Sequence, residues 1–164
     1  ILKISEFKLK KFSENDRRIL LAIAEGSAGM AIKAINSDGL LIFKSCLEIL
    51  IDHPNFNRLK ILKLAAMAKG NDKKFQLISS ILPLVVGRLA LLTNQVQYLS
   101  PIDEEKPLLK KLFDNHNVSH NLAKLYVDLS KSFLSCYELN LDSSNQIITA
   151  FLQIEEKMVK NQYE

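Results

Sequence analysis

Tryptophan is absent from this chain, and the residues that break regular structure are scarce, with 5 Gly and 4 Pro in 164 residues. A fold of many short strands and tight turns needs more of both, which leaves long helices as the favoured element. Cysteine is rarer still. Cys46 and Cys136 stand far apart, without CxxC spacing, and each sits inside an apolar helical pattern. They predict buried, reduced thiols and a cytoplasmic setting rather than a disulfide framework.

No strong excess of one charge exists either. The 22 Lys and Arg exceed the 18 Asp and Glu by only four, and the two signs are interspersed. A dedicated nucleic-acid surface shows a basic stripe with stacking aromatics. Its nearest counterpart here, Lys8, Lys10 and Lys11 with Arg17 and Arg18, reads as a solvated helix flank. The longest apolar run, residues 77–92, is interrupted by Ser79, Ser80, Pro83, Gly87 and Arg88. It falls short of the ~20 apolar residues of a membrane span and predicts a buried core helix.

Catalytic signatures are also missing. No Walker loop, dinucleotide fingerprint or nucleophile elbow is present. The pairs Glu104-Glu105 and Glu155-Glu156 are adjacent, so on a helix their side chains diverge. His116 and His120 have a spacing that can place two metal ligands on one helix face. However, Ser119 reads as a helix N-cap, which puts His116 ahead of the helix, and no carboxylate completes the set. No enzyme activity, cofactor or metal is therefore assigned.

What the chain does contain is 48% hydrophobic residues at helical spacing. Ser13 predicts an N-cap with Asp16 as its capping-box partner and Phe12 as a staple, ahead of a buried stripe at Ile19, Leu20 and Ile23. Gly26 and Ser27 then form a corner: Gly26 takes the positive φ that ends one helix, and Ser27 caps the next. Gly29 leaves room for close packing on that helix's first turn. Residues 36–39 are a turn cluster and the expected boundary. Beyond it the pattern predicts helices over residues 40–52, with Pro54 preventing continuation, and over 57–69, with Leu59, Ile61, Leu62, Leu64, Ala65 and Ala68 inside. A restart at Gly70 and Asn71 opens a long helix over 72–98, kinked or broken near Pro83. Residues 100–107 form a polar connection, and 108–113 a short helix. Ser119 starts a helix with Ala123, Tyr126, Val127, Leu129, Phe133 and Tyr137 on its apolar face. Asp142 caps the last helix, whose inner face uses Ile147, Ile148, Phe151, Leu152 and Ile154. The fold class is all-α: a bundle of about five helices, preceded by a short helical remnant.

Two stretches carry a resemblance. Ser13-Glu14-Asn15-Asp16, Leu21-Ala22, Ala24-Glu25-Gly26-Ser27, Gly29 and Ala31 resemble the end of the lid subdomain in clamp-loader AAA+ proteins. The Gly-Ser-x-Gly variant is similar to the delta-prime subunits of bacterial DNA polymerase III. Glu138-Leu139-Asn140-Leu141-Asp142, Ile147-Ile148 and Phe151-Leu152 resemble the start of the last helix of that family. The resemblance implies that residues 1–37 end an AAA+ lid and that 38–164 form a helical collar domain. The chain, which begins at Ile1, would then be a piece of a longer protein. Gly29 stands where ATP-hydrolysing relatives carry their second sensor arginine, which implies a subunit that does not hydrolyse ATP through its own site. The implied partners are the delta and tau or gamma subunits, with DNA met only indirectly. The wide apolar arcs of the helices starting at Leu40 and Asp142 suggest Leu40, Phe43, Leu47, Ile147, Phe151 and Ile154 as interface candidates. The competing expectation is a free-standing helical adaptor or regulator.

Overall fold

The computed structural model describes residues 11–94, 100–112 and 118–160, the side chains at 159 and 160 apart. Among these residues there are eight helices and no strand. They are α1 (Glu14–Ala24), α2 (Ala28–Asn36), α3 (Gly39–Leu50), α4 (Arg58–Ala68), α5 (Asp72–Thr93), α6 (Glu105–Leu112), α7 (Val118–Glu138) and α8 (Ser143–Lys160).

Side-chain caps set most of the starts. Ser13 Oγ accepts from the Asp16 N–H at 3.1 Å, and Ser27 Oγ from the Met30 N–H at 3.3 Å. Asn57, Asn71 and Asp142 cap α4, α5 and α8 in the same way, each supplying an oxygen to an otherwise orphan N–H. The α1–α2 corner has the expected form, with Gly26 at φ +82°. The residue before it, Glu25, is also left-handed, at φ +45°.

α5 is the axis of the bundle. It packs against α3, α4, α6, α7 and α8, with its longest contact along α7. Pro83 lies inside α5, and the helix runs through it without a break. The hydroxyls of Ser79 and Ser80 turn back to the Gln76 carbonyl. α5 is long and apolar enough to cross a membrane, but 56% of that apolar stretch is buried inside the bundle, as a core helix requires. The expected end of this helix near Tyr98 lies outside the described residues.

One hydrophobic core joins all eight helices, from Ile19 and Ile23 through Phe43, Leu50 and Leu82 to Phe151 and Ile154. It runs across the turn at residues 37–38. Polar contacts cross there too: Lys44 of α3 bridges Asp16 of α1 at 2.7 Å and Glu104 at 3.3 Å. That pairing holds the Asp16 carboxyl below its ordinary range and raises the Lys44 ammonium.

Two starts differ from expectation. α6 begins at Glu105, so Pro107 lies in its first turn, where a missing N–H costs nothing, and the polar connection is shorter than predicted. Glu105 is fully buried. It accepts from Arg88 Nε at 2.8 Å and Nη2 at 3.1 Å, and from the Ser100 hydroxyl. Ser119 is not an N-cap, because α7 is already helical at Val118; its hydroxyl donates to the Ala90 carbonyl at 2.9 Å instead. Phe113 and His116 lie outside the described residues.

Candidate interaction groove

α7 carries two apolar stripes, and only one is buried. Val118, Leu122, Leu125, Leu129, Phe133 and Cys136 face the core. Ala123, Tyr126, Val127, Leu134 and Tyr137 recur at the same helical spacing but face outward, with Leu134 59% and Tyr137 60% exposed. Tyr126, Val127 and Tyr137, expected in the core stripe, are therefore surface residues. A helix whose apolar arc is wider than its contact with one neighbour leaves the excess in solvent.

That excess forms one wall of a groove against α5. The two helices run antiparallel: Ala90 meets Ser119 near one end, and the Phe75 ring packs edge-on against Phe133 near the other, with centroids 6.0 Å apart. Between these points α5 presents small residues: Ser79, Ser80, Pro83 and Gly87. Gly87 has no side chain, and a Cβ there would lie 3.0 Å from Tyr126 Cδ2. The groove has two lobes, about 610 Å³ and 540 Å³, which share Leu84, Tyr126 and Glu25. Leu134 and Tyr137 flank the first lobe; Leu91, 70% exposed, and Val127 flank the second.

The Gly26–Ser27 corner, singled out in the sequence, borders this groove through Glu25. Among the described residues the nearest atom to a Cβ placed on Gly29 is Ser27 Oγ at 3.8 Å, so the close packing expected on this turn is not found there. Having no side chain, Gly29 also offers no cation to a phosphate.

The interface candidates need correction. Phe43, Leu47, Ile147, Phe151 and Ile154 are all completely buried, and Leu40 is half-buried against the core. α3 is apolar over a wide arc because α1, α2, α4, α5 and α6 surround it. In α8 the buried face is completed by Ala150 and Met158, while Leu152 is exposed. Leu59 and Leu62 of α4, expected inside, are also exposed. Leu84, Leu91 and Leu134, which also line the groove, are in sequence simply more apolar positions of long helices.

Polar contacts among the described residues also tie the helices together. Glu155 accepts from the Phe56 N–H and from Arg58 Nη2, both at 2.6 Å, which fastens the segment between α3 and α4 to α8. Burial would raise Glu155, but these two donors outweigh it and hold the carboxyl low. His53, buried beside a cis peptide bond to Pro54, is depressed by burial and by Lys111. Burial pushes the Cys46 thiol up to about 12, out of reactive range. Among the described residues no three His, Cys, Asp or Glu side chains come together as a metal site would require.

No protein-family description, characterised protein or solved structure matches the chain.

Proposed function

We propose that this chain is a non-catalytic helical interaction module, and that within that class it is the end of an AAA+ lid, residues 1–37, with the collar domain, 38–164, of a delta-prime clamp-loader subunit. The observation that carries the interaction reading is the groove between α5 and α7. Leu91, Leu134 and Tyr137 stand well exposed along one furrow, and covering each would contribute on the order of 1–2 kcal/mol. The finer reading rests on the Gly26-Ser27-Ala28-Gly29 corner and on the Asp142-capped last helix. In that role the chain is a rigid stator in a cytoplasmic loader that places sliding clamps during DNA replication. The delta and tau or gamma subunits pack beside it, and DNA is touched only through them.

Light scattering on a sizing column tests this reading, first with the chain alone and then with the collar region of the tau subunit from the same organism. Co-elution at a defined stoichiometry supports the clamp-loader role. A chain that never shifts overturns that role and leaves the free-standing adaptor.

A further inference from the structure

Glu25 is an odd residue for its place. It sits at the C-cap of α1 with φ +45°, a conformation that favours Gly or Asn. Its carboxylate stands at the negative end of a helix dipole, where a cation is favoured, and the last turn of α1 carries no basic residue to offset it. Among the described residues no hydrogen bond or ion pair engages its side chain. Yet it is the one charged side chain that lines both lobes of the groove.

We propose that the groove takes an amphipathic α-helix of a partner protein, with an apolar ridge and a Lys or Arg near the middle of that ridge to meet Glu25. The choice of a helix follows from shape and length. The furrow follows α5 from Phe75 to Asn94, about 28 Å, which a helix of about eighteen residues matches. The choice of a central cation follows from charge. Glu25 stands where the lobes meet, beside Leu84 and Tyr126, so an apolar helix lying over it without a cation would strip water from an unpaired carboxylate. Of the two cations in the lining, Arg88 of the second lobe is already held by Glu105, and Lys33 lines the first lobe alone, so Glu25 is the charge that stands where the two lobes meet. This inference rests on the reading of the groove as an interaction surface and adds the chemistry of its occupant.

The test uses two fluorescein-labelled helical peptides of about eighteen residues. They share a Leu/Ala ridge and a Gln-rich opposite face, and differ only in a central Lys or Glu. Fluorescence anisotropy is measured on the whole chain and on its Glu25→Lys variant, whose thermal midpoint checks that it folds. The expected result is that the Lys peptide binds the native chain about fivefold more tightly, the scale of one partly screened ion pair, and that Glu25→Lys reverses the order. Saturable binding with no charge preference overturns the proposal, as does no binding of either peptide. The tau co-elution is scored separately. A complex with tau but no peptide preference overturns this inference and leaves the clamp-loader role standing, whereas a charge-dependent peptide without a tau complex removes only the clamp-loader role.

Discussion

Gly87 and Tyr126 meet across the α5–α7 contact at a distance that leaves no room for a side chain: a Cβ on Gly87 would approach Tyr126 Cδ2 to 3.0 Å. Tyr126 is 44% exposed, so its ring can swing away rather than break the core. Gly87→Ala should therefore leave stability nearly unchanged, because better helix propensity, up to ~1 kcal/mol, offsets the displaced ring. The groove, however, should narrow at the point its lobes share. Thermal unfolding, together with the anisotropy of the labelled Lys peptide, which should bind the variant more weakly, checks both halves of the prediction.

Arg88 and Glu105 make the second test. Glu105 is fully buried and accepts two bonds from the guanidinium. Removing one partner leaves the other charge without its counterion, so Glu105→Ala should destabilise the fold by about 3 kcal/mol. Replacing both residues, with Arg88→Met and Glu105→Leu, should cost clearly less than the sum of the single changes. Chemical denaturation of the four proteins of this cycle gives the coupling directly.

The α2–α3 turn is tighter still. A Cβ on Gly39 would lie 2.8 Å from both Cα and Cβ of Ala34, which is backbone and short side chain with no freedom to yield. Gly39→Ala should lower stability by roughly 1–3 kcal/mol despite alanine's helix propensity. If the variant melts at or above the native temperature, the packing at this corner is wrongly described.

Acid should weaken the fold in two steps. His53 is held below its ordinary value of 6.5 by burial and by Lys111. Its neutral form is the one the fold prefers, so from about pH 6.5 downward the unfolded chain gains protons first and stability falls. Asp16 and Glu155 are also held below their ordinary values of 3.8 and 4.5. Their stabilisation is complete above those values and is lost as pH falls through the lower folded ones. Denaturation curves between pH 8 and 3 should show both phases, and His53→Gln should remove the upper one.

Helix starts were legible from single residues, because Ser13, Ser27, Asn57, Asn71 and Asp142 each act on an N–H two or three positions away. Ser119 has the same residue type, but its hydroxyl reaches Ala90, 29 positions earlier, and no local pattern encodes that partner. Inside and outside were less legible. Periodicity reports that Tyr126 and Tyr137 lie on an apolar arc, but not how much of the arc a neighbour covers. The same ambiguity made Phe43 and Phe151 look available when helices surround them. Glu25 was visible as part of the corner, but its place in the groove depends on α5 and α7 being antiparallel neighbours.

The most direct test of the groove is the complex with the tau collar region formed by two variants of similar initial exposure. Leu134→Glu places a charge inside the groove, and Leu62→Glu places one on α4, away from it; these leucines are 59% and 51% exposed. Leu134→Glu should abolish co-elution while Leu62→Glu retains it, with both variants keeping the native thermal midpoint. A complex that survives Leu134→Glu and is lost with Leu62→Glu would contradict this.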